Sequence, residues 1–206
     1  MLIIGNPEAI DMFKLKVEQE LRARDLGKVG EILSMKLKRY ADGSLTLDQT
    51  SYVEEVLKTF DATFFRGAST PSDPSVKHYK LTDADWKETK ETSNKIPFRQ
   101  AIGSLLYLAC GIRPDIAYSS PTYMSQFHER SSENLRRSVQ QLFRYLKQAK
   151  HLCLTYRKTQ KKLEVFSDTD WTADCIDRNP FSGYVVILGR AAVSWPSKKQ
   201  YCTALL

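Results

Sequence analysis

Near Gln148 the hydrophobic period of this 206-residue chain changes from helical to alternating, and few architectures survive that switch. Upstream, Leu135, Val139, Leu142 and Leu146 recur at spacings of four, three and four, the stripe of an amphipathic helix. Downstream, residues 152–156, 163–166, 183–188 and 192–195 alternate with a period of two, as strands do. A chain that is neither all-helical nor all-strand, with helices followed by antiparallel strands, predicts an α+β architecture with a second unit beginning near residue 149.

The rest of the chain supplies elements of both kinds. Leu2-Ile3-Ile4-Gly5 reads as a strand whose beginning is missing, and Asn6-Pro7 as an N-cap followed by Pro at N1. Ile10, Phe13, Val17 and Leu21 then form the apolar stripe of a helix. Residues 31–40 alternate as one strand, Ala41-Asp42-Gly43-Ser44 supplies a turn, and Leu45-Thr46-Leu47 returns as the second arm of a hairpin. Ser51 and Glu54 have the spacing of a capping box ahead of Val53, Val56, Leu57 and Phe60. Residues 61–95 lack periodicity, balance six bases against six acids, and read as a linker. Helices resume at Pro97: a core helix ends near Gly111, Pro114 begins another, Pro121 kinks or interrupts it, and Ser131 or Ser132 caps a third. The closing Thr203-Ala204-Leu205-Leu206 looks like a strand in progress, so the expectation is a chain cut at both ends.

Composition narrows the class. With 42% hydrophobic and 27% charged residues the chain matches an ordinary soluble globular protein. It has no apolar stretch of about 18 residues to span a membrane, and no basic region ahead of its short apolar start to make a signal peptide. Cys110, Cys153, Cys175 and Cys202 are too scattered for a zinc site and read as buried thiols in a reducing compartment, cytoplasmic or nuclear. His78, His128 and His151 have no partners at ligand spacing. The net charge of +7 is concentrated: between His128 and Lys162, ten Lys/Arg face only Glu129 and Glu133. Arg136, Arg137, Arg144, Lys147, Lys150, Arg157 and Lys158 are the candidate contacts to a polyanion such as nucleic acid; a solvated helix face is an equally good reading of composition alone.

One stretch points to chemistry. In "LEVFSDTDW", Leu163, Val165 and Phe166 read as a strand that stops at Ser167-Asp168-Thr169-Asp170. A carboxylate at the tip of a buried strand costs several kcal/mol unless something pairs with it, and a divalent metal is one such partner. A strand reaching solvent and a turn is the bland alternative. Trp171 and Trp195 are more often core anchors than base-stacking platforms. Arg113, before Pro114, suits phosphate binding and helix-start packing with Asp115 equally.

The block "PFRQAIGSLLYLACGIRPDIAYSSPTYMSQF" closely resembles a segment of the pol polyprotein of copia-type LTR retrotransposons. "MLIIGN", "STPSD", "RYLKQAKHLCLTYRK" and "FSDTDWTADCIDRNPFSGYVVILGRAAVSWPSKKQ" occur in the family's order, so the resemblance covers practically the whole chain. It implies the end of a reverse-transcriptase palm and start of the thumb at 1–60, a linker at 61–95, a helical thumb and connection at 96–148, and a truncated RNase H-like domain with a mixed sheet at 149–206. Leu33, Ser34 and Met35 match the primer grip, with Ser34 where the family has glycine. Asp168 matches the first catalytic and metal-binding carboxylate of the RNase H site, while Asp170 reads more readily as a turn residue.

In the intact family enzyme Mg²⁺ drives the chemistry, with about four carboxylates around two ions. The polymerase aspartates and the remaining RNase H carboxylates have no match here, Asp174 and Asp177 lie too close to Asp168, and a lone carboxylate holds Mg²⁺ weakly. Pro180 and Phe181 also depart from the family pattern. The expectation is therefore a piece of pol that neither polymerises nor cleaves alone. Its expected partners are a template–primer or RNA–DNA hybrid, or the missing upstream and downstream parts of pol. A host-retained nucleic-acid-binding module, or one half of a split enzyme, are the alternatives. Contact with six or so phosphates would give log K against log[salt] a slope of about −4 to −5.

Overall fold

The structure, a computed structural model, describes residues 2–73, 75, 76, 97–117, 124, 132–170 and 181–199. It is an α+β protein in which every strand pairing among the described residues is antiparallel. The second sheet was expected to be mixed. Its strands 181–188 and 191–194 are joined by two residues, and a parallel pair needs a crossover of a dozen or more.

Helix α1 (Pro7–Glu20) begins as its sequence predicts: Asn6 Oδ1 accepts the Glu8 N–H at 2.9 Å and Pro7 stands at N1. Nothing in this helix is buried, so its stripe of Ile10, Phe13 and Val17 meets no core. Residues 2–5 form no strand, contrary to expectation. No described strand offers their backbone groups a ladder, and Ile4 is 86% exposed.

The expected single strand over 31–40 is two strands. β1 (Glu31–Ile32) and β2 (Met35–Arg39) pair through Ile32 and Met35, leaving Leu33 and Ser34 as a two-residue turn. Both have positive φ, 51° and 56°, the left-handed pair that matches the twist of a tight hairpin. The Asp42–Gly43 turn then connects β2 to β3 (Leu45–Asp48) as expected, with Asp42 Oδ1 accepting the Ser44 N–H and hydroxyl.

Helix α2 (Thr50–Thr59) has no capping box. Asp48 supplies the cap-like contact instead, accepting from the Thr50 N–H and hydroxyl at 2.7 and 2.6 Å, while Ser51 Oγ accepts from Lys36 Nζ and Glu54 pairs with Lys150. A 3₁₀ turn at Ala62–Phe64 comes next. Helices α3 (Phe98–Gly111), α4 (Pro114–Ala117) and α5 (Glu133–Gln148) complete the helical part. Ser132 caps α5 by accepting the Leu135 N–H, and the predicted stripe of Leu135, Val139, Leu142 and Leu146 is wholly buried. With Phe143, whose ring stacks on Phe60 at 5.2 Å, these residues pack against Val53, Val56 and Leu57 of α2 and Ile102, Leu105 and Leu108 of α3.

After α5, β4 (Leu154–Tyr156) adds to β3, giving the first sheet the order β1-β2-β3-β4. Backbone pairing therefore changes sheet between Tyr156 and Glu164, later than the change of hydrophobic period. The second sheet holds β5 (Glu164–Asp170), β6 (Phe181–Leu188), β7 (Ala191–Ser194) and β8 (Ser197–Lys199), with β6 pairing all three others. Gly189 and Arg190, both at positive φ, form the β6–β7 turn. A Cβ at residue 189 would meet the Arg157 carbonyl oxygen at 3.0 Å, so glycine is needed there twice over.

A smaller core joins the sheets to α3: Ile112, Leu154, Ala191 and Ala192 are buried with Met35, Leu47, Tyr156, Val185 and Trp195 against them. The Trp195 indole donates to the Ala109 carbonyl at 2.6 Å, so Trp195 is a core anchor rather than a stacking platform. Cys110 and Cys153 are exposed thiols, not buried ones. Leu108 and Ala109 take the buried positions beside Cys110, and Leu154 beside Cys153. His78, His128, Ser131, Pro121, Trp171, Asp174, Cys175, Asp177, Pro180 and Cys202 lie outside the described residues. No described helix is long and apolar enough to cross a membrane.

Candidate nucleic-acid interface

The candidate residues fall into three places. On α5, about 100° of turn per residue puts Arg136, Arg137, Arg144 and Lys147 within an arc of roughly 100° beside the buried stripe, with half-buried Arg136 at its inner edge and Arg137 and Arg144 exposed. Their charges are not equally available. Arg137 lies 3.5 Å from Glu133 one turn earlier. The Arg144 guanidinium lies over the Phe65 ring at 6.0 Å, and Lys147 Nζ donates to the Phe65 carbonyl at 2.7 Å. Lys150, just past the helix, sits 2.6 Å from Glu54 of α2. That hydrogen bond, with the lysine's charge behind it, holds the Glu54 carboxyl below its ordinary range.

Arg157 and Lys158 leave the far end of β4. There the Arg157 N–H donates to Gly189 and its charge reaches Asp42, whose carboxyl is held low chiefly by the Ser44 hydroxyl and N–H. The seven bases therefore form an α5 group, an α2-paired Lys150, and a pair at the β4 end. Composition could not show this division, because Glu54, the partner of Lys150, is distant in sequence.

The second place is the β1–β2 turn. Leu33 is exposed, Ser34 is exposed, and Met35 turns into the small core, so only two of the three primer-grip-like residues are on the surface. The turn is pinned: the Tyr107 hydroxyl of α3 donates to the Leu33 carbonyl at 2.6 Å, and the Tyr107 ring meets Tyr52 edge-on at 5.0 Å. Tyr107 gave no signal in the sequence beyond lying off the α3 stripe. Arg113 is also resolved. It is 1% exposed, grips Asp115 through Nε and Nη2, and lies 5.8 Å from the Tyr145 ring, whose hydroxyl donates to the same carboxylate. The helix-start reading of Arg113 holds, and phosphate has no access to it.

Asp168 is the third place. β5 does not stop at Ser167 but runs on to Asp170, so Asp168 lies inside a strand, opposite Gly183. Strand formation wins because β6 begins at Phe181, two residues earlier than expected, and carries the ladder to the end. Asp168 is exposed beside an open cavity of about 300 Å³ lined by Phe166, Val185, Trp195 and Pro114. Among the described residues no three His, Cys, Asp or Glu side chains gather to hold a metal. Glu164, on the same face, is about 13 Å back along the strand, against a metal–oxygen distance of about 2–2.6 Å. The described residues do not fit a two-metal centre.

An α+β fold with two antiparallel sheets, a basic helix and exposed strand carboxylates that do not converge defines a class too broad to name an activity. Comparison with known proteins is more specific. The chain is 32% identical over 208 residues to the retrovirus-related Pol polyprotein from transposon TNT 1-94 of Nicotiana tabacum, covering 100% of this chain and 16% of that protein. A putative transposon Ty5-1 protein of Saccharomyces cerevisiae is 28% identical over 94% of this chain and 61% of its own length. The Pol polyprotein from transposon RE1 of Arabidopsis thaliana is 30% identical over 97% of this chain and 13% of its own. The chain belongs to the copia-type retrotransposon Pol polyproteins, and spans less than two thirds of each of these relatives. No family profile matches it, and no solved structure does.

Proposed function

We propose that this chain is the palm-end, thumb, connection and RNase H-start segment of a copia-type reverse transcriptase/RNase H polyprotein, and that it contacts the nucleic-acid backbone without chemistry of its own. The observation carrying this reading is the basic arc on α5, which flanks a fully buried stripe and exposes Arg137 and Arg144. Such a helix is anchored on one side and presents fixed cations beside it, as phosphate contacts require. The Leu33–Ser34 turn, held by Tyr107, supports a primer-grip-like role at the other end of the segment. The ligand class is a template–primer or RNA–DNA hybrid.

Two measurements test it. Because Glu133 and Glu54 compensate Arg137 and Lys150, about five of the seven bases remain for phosphate contacts. The slope of log K against log[salt] for an RNA–DNA hybrid is then about −3.5 to −4.5, shallower than seven free bases would give. Binding that salt leaves unchanged rejects the interface. Primer-extension and hybrid-cleavage assays with Mg²⁺ are expected to show no turnover by this chain, and turnover in either rejects the non-catalytic part.

A further inference from the structure

Residues 65–70 run along α5 as a strap, and the way they hold two of its bases differs in kind from the other contacts. The Ala68 N–H donates to the Arg144 carbonyl at 3.2 Å and Gln141 Nε2 donates to the Thr70 carbonyl at 3.0 Å, fixing the strap to the helix. Gly67 permits the close approach: a Cβ there would lie 3.1 Å from the Gln148 Cβ. Within the strap, Phe65 packs on the helical core, offers its ring to Arg144 and its carbonyl to Lys147. Arg137 and Lys150 are held by carboxylates, which cancel their charge. Phe65 orders its two cations with neutral groups, which do not.

We propose that Phe65 is a positioning residue that holds Arg144 and Lys147 as an ordered, uncompensated pair for contacts to backbone phosphates. The proposal rests on the reading of α5 as a nucleic-acid contact and names a residue that a search for basic patches would pass over. A guanidinium lying over a ring keeps the N–H donors at its rim open, and Arg144 remains exposed. Lys147 spends one of its three donors on the carbonyl and keeps two. Ordering both side chains before binding removes part of the entropy that a phosphate contact otherwise costs.

The test uses the full chain and a short fluorescein-labelled RNA–DNA hybrid at low salt. Phe65→Leu keeps apolar bulk and the backbone carbonyl but removes the ring's charge distribution; it is expected to weaken binding about two- to fivefold. Phe65→Tyr, which returns the ring, restores it. Phe65→Leu combined with Arg144→Ala binds no more weakly than Arg144→Ala alone, because both remove one contact. Multiplying losses, or Phe65→Leu binding like wild type while Arg144→Ala is weaker, overturns the proposal and leaves the interface standing. No binding by the wild-type chain overturns both. If Phe65→Leu fails to fold, the wild-type Arg144 δ-methylene protons decide: an upfield ring-current shift supports the proposal and random-coil values overturn it.

Discussion

Ser34 occupies a backbone conformation that its side chain disfavours. At φ 56° it stands second in a two-residue hairpin turn, where a left-handed residue costs roughly 1–2 kcal/mol unless it is glycine. The greater freedom of glycine in the unfolded chain returns part of that, about 0.5–1 kcal/mol. Ser34→Gly is therefore expected to stabilise the chain by about 0.5–1 kcal/mol, read from the urea midpoint at unchanged slope. A lower midpoint would mean that the turn is not the one described. Pattern alone hid this turn, because Ile32, Leu33, Met35 and Leu37 read as one strand. Only the pairing of Ile32 with Met35 reveals the reversal between them. Asp48 taking the place of a Ser51–Glu54 capping box has a similar cause, since Lys36 and Lys150, brought in by the fold, occupy both box residues.

Among the elements, α5 was the most legible. Its cap at Ser132 is local, and its stripe needs only a neighbour to pack against. Leu142 is wholly buried in that stripe, and Leu142→Ala is expected to destabilise the chain by about 2–5 kcal/mol, read by thermal or chemical unfolding. A loss below about 1 kcal/mol would mean that α5 does not anchor the core, and that its basic face is not rigidly presented. β4 shows the opposite case. Its alternation was legible and its partner was not, because pairing with β3 joins residues more than a hundred positions apart. The same applies to β5, whose end depends on where β6 starts.

At the scale of the whole molecule, two half-buried tyrosines tie its parts together. Tyr145 joins α5 to the Arg113–Asp115 pair, and the Tyr156 hydroxyl donates to the Ala192 carbonyl across the sheets at 2.6 Å. Burial pushes both phenols above their ordinary value, with the hydrogen bond to Asp115 adding to the effect at Tyr145. A folded pKa above the unfolded one favours the neutral form in the fold. The resulting stability is fully present below about pH 10 and is lost as pH rises through the folded values. The expected outcome is an alkaline fall in melting temperature that Tyr145→Phe and Tyr156→Phe together flatten. An unchanged alkaline limb in the double variant would place its cause elsewhere.

What the residues alone determined was local or periodic: the mixture of helices and strands, the caps at Asn6 and Ser132, the buried stripe of α5, and the blocks that mark the copia-type Pol family. These depend on spacings of a few residues, which a chain carries whatever it folds into. Tertiary structure alone decided which sheet each strand joined, that Lys150 pairs with Glu54 while Arg144 and Lys147 meet Phe65, and that Asp168 stands inside a strand rather than at its tip. Those outcomes turn on contacts between distant segments. Lys150 meeting Glu54, Phe65 lying under Arg144, and β6 pairing with β5 are fixed by packing geometry, which has no signature within any one stretch of sequence.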